Sequence, residues 1–321
     1  MLQQTQVDTV VPYFYRFLKQ FPTVQALADS SLHDVMMIWE NLGYYARARH
    51  IHESAKIISR DFAGKIPNTW DDLIRLPGIG PYTAGAVLSI AFGKPIPAID
   101  GNARRVLIRL FAVKYPLDDP GTQHRIKRLA ETLLPHHCPG VFNQALMELG
   151  ALICTSKNAA CSSCPVGTLC RAFAHKLQHC LPIKGKKSPL PHKHAVAAVM
   201  RDSQGRVFVV RRPSGGLLGD LWTFPGGFLH DGESMSEALQ RTVDEELIDV
   251  GAFIGSVKHA YTHFRVTLHL FYCHIPPNKE LRAVYPNCQW IFSNHFKKFP
   301  FSKLDRKAIT AILHDQEHSC R

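Results

Sequence analysis

Four cysteines lie close together in the middle of the sequence, at a density at which thiolates usually bind metal. Their order is Cys154-x6-Cys161-x2-Cys164-x5-Cys170, in a chain that holds nine cysteines among 321 residues. An odd total and this local clustering do not resemble a disulfide framework. Four thiolates can hold an iron–sulfur cluster or a single zinc ion. The spacing therefore predicts a metal site and leaves both occupants open.

A carboxylate that could stabilise a cation stands at Asp100, where the sequence predicts the start of a helix. The helix dipole and the free N–H groups of the first turn keep such a carboxylate ionised. An ionised aspartate is what an oxocarbenium-like transition state needs nearby. Asp100 could also serve only as the helix cap, and both roles can hold together. Arg104 and Arg105 add positive charge to the same element.

The segment Leu76–Ala84 (Leu-Pro-Gly-Ile-Gly-Pro-Tyr-Thr-Ala) lies between two helical patterns. Gly78 and Gly80 predict a tight turn that exposes backbone N–H groups, and Pro81 favours the first position of the next helix. A helix N-terminus with free N–H groups binds phosphate. The segment is typical of a helix–hairpin–helix motif, which contacts a DNA backbone without recognising its sequence. An ordinary glycine-rich connection between helices is the alternative.

The charge balance of the chain favours an anionic partner. The net charge is +12 and the isoelectric point is about 9.3. Lys and Arg residues that neutralise phosphates release counterions, which favours binding to nucleic acid. A basic surface without a dedicated partner is the alternative. No apolar run approaches the length of a membrane span, and the first residues lack a secretory signal. We therefore expect a soluble cytoplasmic protein.

The elements that must position these residues change in type along the chain. Apolar residues recur at helical spacing over residues 1 to about 175 and at strand spacing after residue 195, because a helix repeats every 3.6 residues and a strand every two. Residues 181–194 are Pro-rich and basic, which is typical of a linker. The predicted fold is multi-domain: an all-α domain over 1–180, this linker, and an α/β domain over 195–321.

Individual elements follow from the same patterns. The helical runs of the first half are Val7–Phe21, Leu32–Leu42, Ala84–Phe92, Val106–Val113 and Phe142–Ile153. In the second half we expect the strands Ala195–Met200, Val207–Arg212 and Val266–Ile275 and the helices Ser234–Leu247 and Lys303–His314. A turn over residues 202–205 joins the first two strands.

The order of hairpin, aspartate and cysteine cluster resembles that of the helix–hairpin–helix DNA glycosylases with a C-terminal four-cysteine loop. The resemblance implies that Cys154, Cys161, Cys164 and Cys170 hold a [4Fe–4S] cluster. A four-cysteine zinc site is the alternative. By the same resemblance, the chain binds double-stranded DNA through the hairpin glycines Gly78 and Gly80.

Within these glycosylases, the residue after the hairpin separates two branches. The endonuclease III branch has a lysine there that attacks the sugar and leads to strand cleavage. This chain has Tyr82, so Schiff-base chemistry is not expected. Tyr82 and the segments Met1–Val7 and Gly43–Arg49 resemble the MutY-type adenine DNA glycosylases.

That resemblance implies a set of contacts with damaged DNA. Gln4 would wedge into the duplex, with Thr5 and Leu42 near the lesion and Tyr44 beside them. For Tyr44 and Tyr45 the alternative is core packing, which we expect to hold for one of the two. The remaining basic residues assigned to DNA are Arg47, Arg49 and Arg104.

The C-terminal half resembles the Nudix-related domain with which this family senses 8-oxoguanine. Five positions fit the Nudix box: Gly227, Glu233, Arg241, Glu245 and Glu246. Thr242 replaces a required glutamate and Ile248 a required glycine. Magnesium catalysis on a diphosphate depends on clustered carboxylates, so we expect a recognition domain without hydrolase activity.

Two further residues are assigned by the resemblance to lesion contact. Tyr261-Thr262-His263 falls where the family has a Phe-Ser-His loop that contacts 8-oxoguanine. The hydroxyl and the imidazole of that loop are both kept. An exposed triplet at the end of a strand is the alternative.

Removal of adenine from deoxyribose needs an acid for the base and an anion for the sugar cation. The base must also leave the helical stack first. Asp100 fits the anion, and Tyr82 and Asn102 would orient it or the nucleophile. The sequence therefore predicts an adenine DNA glycosylase of base excision repair, acting on adenine paired with 8-oxoguanine or guanine. We expect it to act as a monomer at the bacterial nucleoid.

The acid itself is expected outside the printed chain. The family places a glutamate two residues before the Met-Leu-Gln-Gln-Thr string, which here begins at Met1. A late start codon, a fragment or a pseudo-enzyme would each explain this. We expect the printed chain to bind DNA weakly and to excise adenine poorly or not at all.

Three other functions remain open from the sequence. An endonuclease III-like pyrimidine glycosylase is disfavoured by Tyr82 and by the second domain. A non-catalytic module that binds lesion pairs fits a chain without the acid. A Nudix pyrophosphatase fused to a DNA-binding half is disfavoured by Thr242.

Overall fold

The computed structural model describes residues 1–3, 5–183, 185, 189–244, 248–276 and 285–319, with side chains to residue 315 in the last helix. The predictions for Gln4, Glu245 and Glu246 lie outside the described residues. The chain packs into two units. We call Met1–Ser59 with Pro189–Arg321 the terminal unit, and Arg60–Ser188 the middle unit.

This division differs from the predicted boundaries of 1–180, 181–194 and 195–321. The first 59 residues pack with the C-terminal half. One physical reason is Leu221, which is fully buried in the same apolar cluster as Trp39 and Val10. Sequence periodicity reports which face of an element is apolar and does not report which partner covers it.

The middle unit is helical. Its helices begin at favourable residues: Thr69 caps α5 and Asp119 caps α8 through their side chains, and proline opens α6, α8 and α9. Two short π-helical segments, Val87–Ala91 and Leu149–Ile153, continue α6 and α9. The helices of this unit are α5 Trp70–Arg75, α6 Pro81–Ala86, α7 Gly101–Leu110, α8 Pro120–Leu133, α9 Pro139–Glu148 and α10 Arg171–Ala174.

Four helices form the N-terminal part of the terminal unit. Thr23 and Ser31 cap the second and third through their hydroxyl groups. Their apolar faces meet around Trp39 and Met36, which are 1% and 0% exposed. These helices are α1 Val7–Gln20, α2 Val24–Asp29, α3 Leu32–Trp39 and α4 Ala46–Asp61, whose last two residues belong to the middle unit.

The C-terminal part of the terminal unit is a mixed α/β structure. A four-stranded sheet has the order β4-β1-β6-β5, with β1 parallel to β6 and the other pairs antiparallel. A three-stranded sheet has the order β3-β2-β7. One apolar cluster includes α12 side chains and another includes α11 side chains. The elements are β1 His192–Met200, β2 Val207–Arg211, β3 Trp222–Thr223, β4 Gly226–Phe228, α11 Met235–Val243, β5 Asp249–Ala260, β6 Arg265–His274, β7 Cys288–Ile291 and α12 Lys303–Ser319.

The predicted fold class is confirmed: an all-α region precedes an α/β region. Over the described part of residues 1–183 there is no strand, and Pro116 and Ile183 form an isolated bridge. The predicted turn at 202–205 is present, with Gly205 at φ 75° and its amide donating to the Asp202 carbonyl at 3.0 Å. However, β1 and β2 enter different sheets.

The helix predicted over Ser234–Leu247 is shorter in the structure. Ser234 caps it through a capping box with Glu237, and the helix ends at Val243. Asp244 has φ 82°, which lies outside the helical region. Residues 245–247 lie outside the described part of the chain. Of the described helices, none combines the length and the apolar character needed to cross a membrane.

Candidate functional site

Asp100 occupies the position at which a carboxylate is stabilised by a helix. It is the N-cap of α7, and its Oδ1 accepts a hydrogen bond from the Ala103 amide at 2.6 Å. The side chain is half-buried. The N–H groups of the first helical turn point toward this carboxylate, which suits an anion at this position. The predicted cap is therefore present, and it leaves a second carboxylate oxygen for other chemistry.

Asn102 is tied to the cysteine loop by one arginine. Arg105 donates from Nη2 to Asn102 Oδ1 at 2.9 Å and to the Gly150 carbonyl at 2.6 Å, and from Nε to the Cys154 carbonyl at 2.8 Å. Three acceptors from two segments fix the planar guanidinium. Asn102, assigned from the sequence as an orienting residue, is thus itself held in place.

Gly150 makes this arrangement possible. A Cβ at this position would stand 2.7 Å from the Asn102 Cβ and 2.9 Å from its carbonyl carbon. Contacts this short do not occur between real side chains, so only glycine fits without a shift. Gly150 carries no local signal in the sequence, because the requirement for glycine arises from Asn102, 48 residues away in the chain.

Asn143 is a second residue that the sequence analysis missed. It is 2% exposed, and all of its polar atoms face the segment that leads to Asp100. Its Oδ1 accepts from the Ala98 amide at 3.1 Å, and its Nδ2 donates to Ser89 Oγ at 2.8 Å and to the Ile96 carbonyl at 2.9 Å. A buried amide of this kind is strongly specified, since unpaired partners are costly. In the sequence, Asn143 is one of two adjacent amide residues of α9, and nothing local distinguishes it from Gln144.

Tyr82 and the glycine turn before it belong to the same unit as Asp100. Burial, and then the negative charge of Asp100, raise the pKa of the Tyr82 hydroxyl. This hydroxyl donates to the Met147 sulfur at 3.4 Å. Gly78 has φ 76°, which favours glycine, and Gly80 is the exposed N-cap of α6. The predicted glycine turn between two helices, with Pro81 at the first helical position of the second, is therefore present.

The four clustered cysteines line one common pocket together with Arg109 and Phe173. Arg109 is 3% exposed, and its Nη1 donates to Cys154 Sγ at 3.3 Å. Burial, and then the neighbouring thiols, raise the pKa of Cys161. A buried cation beside four thiols suits a group that binds them as thiolates. In the described part of the chain, no three His, Cys, Asp or Glu side chains are grouped to hold a single metal ion.

In the terminal unit, Arg47 joins the N-terminal string to the turn before Tyr44. Its guanidinium donates to the carbonyls of Met1 at 2.8 Å and of Gln3, to Thr5 Oγ1 at 3.1 Å and to the Gly43 carbonyl at 3.2 Å. It also lies 5.3 Å from the centre of the Tyr44 ring. These bonds give Arg47 a structural role, and its predicted contact with DNA stays a prediction.

Two other predicted DNA contacts have partners inside the protein. Arg49 donates to the carbonyls of Gly219 at 2.7 Å and Gly216 at 2.8 Å. Leu42 is 5% exposed and belongs to the helical core. Arg104 is half-buried, and among the described residues its Nε has no hydrogen-bond partner. Their contacts with DNA remain predictions.

The two adjacent tyrosines have different environments. Tyr45 is 4% exposed and packs in the core, whereas Tyr44 is partly exposed with φ 49°. The expectation that one of the pair is a core residue is confirmed. Non-glycine residues rarely adopt this backbone conformation, so the chain holds Tyr44 in an unusual orientation.

Thr262 and His263 are exposed at the tip of the hairpin between β5 and β6. The Tyr261 amide donates to the Phe264 carbonyl at 2.8 Å and closes this tip. Thr262 Oγ1 lies 3.0 Å from the Tyr44 hydroxyl. The structure therefore brings together two residues that were assigned to the lesion from distant parts of the sequence.

The described residues of the Nudix-like box form hydrogen bonds within the protein. Arg241 binds both carboxylate oxygens of Glu233, at 2.5 and 2.7 Å, and this pairing lowers the Glu233 pKa to about 2. The Thr242 hydroxyl donates to the Ala238 carbonyl of its own helix at 2.7 Å. Thr242 therefore supplies no carboxylate where the box requires one.

Two protein-family models match different parts of the chain. A model of the "HhH-GPD superfamily base excision DNA repair protein" family matches residues 1–135, and a NUDIX domain model matches residues 196–311. The adenine DNA glycosylase of Rattus norvegicus is 30% identical over 369 residues, covering 100% of this chain and 72% of its own length.

A second relative and one solved structure are also similar to the chain. The adenine DNA glycosylase of Homo sapiens is 31% identical over 371 residues, covering 100% of this chain and 68% of its own length. The solved structure of a thermostable thymine-DNA glycosylase superposes with a TM-score of 0.50 at 27% identity. That superposition covers 54% of this chain and 80% of the other.

Proposed function

The chain belongs to the adenine DNA glycosylase family of base excision repair, and we propose that it removes adenine paired with 8-oxoguanine or with guanine. The observation that carries the proposal is the placement of Asp100 at the N-terminus of α7, in the same unit as the exposed glycine turn. An anion and a phosphate-binding turn in one unit are what a DNA N-glycosylase needs.

The middle unit supplies the chemistry. The amides around Gly78 and Gly80 hold the DNA backbone, and the flipped-out adenosine is brought to Asp100. As the bond to adenine breaks, the leaving base takes a proton from the glutamate that the family resemblance predicts, and the ionised Asp100 stabilises the positive charge that develops on the sugar. Water then adds to the sugar carbon and loses its proton to solvent, which completes the hydrolysis. Tyr82 has no amine, so the enzyme releases adenine without forming a Schiff base with the sugar.

The terminal unit supplies the recognition of the lesion. 8-Oxoguanine carries an N–H at N7, where guanine has only an acceptor. A hydroxyl oxygen can accept that hydrogen, and the Thr262 hydroxyl and the His263 imidazole are exposed for this purpose. Tyr44, whose hydroxyl is hydrogen-bonded to Thr262, supplies an aromatic ring that can stack against a neighbouring base.

We also propose that Cys154, Cys161, Cys164 and Cys170 hold a [4Fe–4S] cluster. Four thiols that line one pocket beside the buried Arg109 support this occupant. The four cysteines would hold the cluster as thiolates, and the cluster would supply a structural cross-link within residues 154–170. Arg105 then connects this loop, through the Cys154 carbonyl, to Asn102 beside Asp100.

Two narrower statements accompany the proposal. The protein acts as a monomer, and its place of action is the bacterial nucleoid. Sedimentation at micromolar concentration, with and without duplex DNA, tests the first statement. Localisation of a fluorescent fusion tests the second.

The experiment compares adenine release from duplexes that carry 8-oxoguanine·adenine, guanine·adenine or thymine·adenine pairs. It uses the printed chain and a form extended upstream through the glutamate that the family resemblance predicts. We expect the extended form to release adenine from the first two duplexes and not from the third, and the printed chain to release little or none from any of them. Borohydride should trap no covalent adduct with any duplex. A trapped adduct, or release from the thymine·adenine pair at an equal rate, would contradict the proposal.

A further inference from the structure

An ion pair in the terminal unit connects the turn that carries Tyr44 to the C-terminal helix. Glu40 follows α3 and begins this turn. Its Oε1 accepts from Arg306 Nε at 2.8 Å and from the Phe301 amide at 3.0 Å, and it lies 2.5 Å from Arg306 Nη2. The two side chains are only 15% and 22% exposed. Charged hydrogen bonds in such partial burial are stronger than those at a free surface.

Both ends of this ion pair are fixed by further bonds. Arg306 donates from Nη1 to the Phe296 carbonyl at 3.0 Å and from Nη2 to the Phe299 carbonyl at 2.7 Å. On the other side, the Tyr13 hydroxyl donates to the Glu40 carbonyl at 2.8 Å. The pair therefore joins two segments that are each held rigidly, rather than two mobile side chains.

The C-terminal helix in turn supports the hairpin that carries Thr262. Lys307, the residue after Arg306, donates from Nζ to the Lys258 carbonyl of β5 at 2.7 Å. Tyr261, at the end of the same hairpin, packs in the apolar cluster that contains Phe301. A displacement of the segment Phe301–Arg306 would therefore displace the hairpin tip.

The turn from Glu40 to Tyr44 thus meets the C-terminal part of the unit at two points. The first is the ion pair of Glu40 with Arg306, and the second is the 3.0 Å contact of the Tyr44 hydroxyl with Thr262 Oγ1. One point lies at each end of a five-residue turn. If the ion pair is displaced, the hydroxyl groups of Tyr44 and Thr262 lose their relative position.

We infer that Glu40 and Arg306 are positioning residues for lesion recognition: their ion pair sets Thr262 against Tyr44 and so controls the preference for 8-oxoguanine over guanine. This inference rests on the proposed function. Discrimination by a single hydrogen-bonding atom requires the recognising hydroxyl to be held within about 0.5 Å of its working position. An ion pair that only stabilised the fold would not affect this preference.

The test measures equilibrium affinity of the printed chain for 8-oxoguanine·adenine and guanine·adenine duplexes, so that it does not depend on excision. The affinity ratio is the affinity for the 8-oxoguanine·adenine duplex divided by that for the guanine·adenine duplex. Arg306→Glu and Glu40→Arg are each expected to lower this ratio about 10-fold. The affinity for the guanine·adenine duplex should stay within about threefold. The double reversal, which restores an ion pair of opposite sense, should recover most of the ratio.

A second arm links the ion pair to Thr262. Thr262→Val should lower the affinity ratio in the unaltered chain and should have no further effect in Arg306→Glu, because the threonine is already displaced there. The matched control is reversal of the Glu233–Arg241 pair, which is equally short and lies in the same unit. That reversal should leave the ratio unchanged.

The outcomes separate the inference from the proposed function. The first case is that the unaltered chain binds the 8-oxoguanine·adenine duplex clearly more tightly than the guanine·adenine duplex. In that case, charge reversals that lower the unfolding free energy but leave this preference unchanged would refute only the positioning role. Equal binding of both duplexes by the unaltered chain would refute the proposed lesion preference, and the positioning role with it. If a reversal does not fold, Glu40→Gln keeps an acceptor and removes only the charge. It should lower the ratio about threefold, and no change would refute the inference.

Discussion

The carboxylate of Asp100 is held by contacts that begin in its own helix and extend to the cysteine loop. Its Oδ1 accepts a hydrogen bond from the Ala103 amide at 2.6 Å, and Arg105 fixes the neighbouring Asn102. Asn143 holds the segment that precedes Asp100 in the chain. Each contact is a hydrogen bond of defined geometry. The position of the anion is therefore set before DNA binds, as preorganised electrostatic catalysis requires.

Replacement of Asn143 tests this support at the level of one residue. Asn143→Ala leaves the Ala98 amide, Ser89 Oγ and the Ile96 carbonyl without their partner, and we expect a loss of about 3 kcal/mol in unfolding free energy. Urea denaturation measures this loss. Asn68→Ala, at an exposed position of the same unit, should change stability by less than about 0.5 kcal/mol. Equal effects of the two substitutions would contradict the role of Asn143.

Tyr261 predicts a pH dependence of stability. Burial, and then the negative charge of Asp305, raise its pKa to about 12, whereas an unfolded tyrosine titrates near about 10. The neutral phenol therefore contributes stability that is present below about pH 10 and is lost as the pH rises through the folded pKa.

Denaturation across alkaline pH should show this loss. Between about pH 10 and 12 the unaltered protein should lose more unfolding free energy than Tyr261→Phe does. Tyr15→Phe, at a side chain that is 68% exposed, should behave like the unaltered protein. Identical pH dependence of Tyr261→Phe and the unaltered protein would show that Tyr261 is not responsible.

Residues whose signal is local could be predicted from the sequence. The glycines of the turn, the cap at Asp100 and the cysteine spacing depend on near neighbours in the chain. Asn143 and Glu40 could not be predicted, because their partners lie 45 and 266 residues away. Arg47 and Arg49 were assigned to DNA by the family resemblance, and the structure shows them bonded to carbonyl oxygens of the protein, while their contacts with DNA stay predictions.

At the scale of elements, the close approach of a π-helical segment to the start of α7 defines the site. Leu149–Ile153 contains Gly150, whose backbone comes so near to Asn102 that an added Cβ would lie 2.7 Å from it. π-Helical turns are frequent at functional sites because they shift the side chains of a helix locally.

Gly150→Ala tests this packing between elements. The extra methyl group must displace Asn102 or the π-helical segment, so we expect a loss of about 1–3 kcal/mol in stability and slower adenine excision. Gly101→Ala is the matched control, because a Cβ there meets nothing within 4 Å. Its stability should be unchanged or slightly raised. A Gly150→Ala protein as stable as the control would show that the π-helical segment can move away from Asn102 without loss of stability.

The elements themselves were predicted where one face is regularly buried. Helix α1 falls within its predicted run, and the helices α7 and α9 and the strands β1 and β6 overlap theirs but begin earlier in the chain. The strand β5 was missed although it has 12 residues. Its pairing with β6 shifts register between Val250 and Phe253 and again before Gly255. Such bulges break the alternation of apolar and polar residues on which the prediction of strands depends.

At the scale of the whole molecule, each unit has one part of the proposed task. The middle unit holds Asp100, the glycine turn and the cysteine pocket, and the terminal unit holds Tyr44 and Thr262. The boundaries of these units could not be predicted from composition. Residues 1–59 belong with the C-terminal half because of contacts such as that of Glu40 with Arg306.

The charge of the molecule predicts a strong salt dependence of DNA binding. With a net charge of +12, several phosphates should be neutralised in the complex. Affinity for an undamaged duplex should then fall about 100-fold or more between 50 and 200 mM salt. A fall of less than about threefold would mean that about one phosphate is contacted, which a DNA-binding role does not allow.

Single-turnover release of adenine from an 8-oxoguanine·adenine duplex, with and without Asp100→Asn, tests the central claim most directly. The measurement uses the form extended upstream through the predicted glutamate. Asparagine keeps the cap acceptor and removes the charge, so binding should stay within about threefold while the rate falls about 100-fold or more. Release by Asp100→Asn at the unaltered rate, or tight binding without any release by the unaltered protein, would contradict the account.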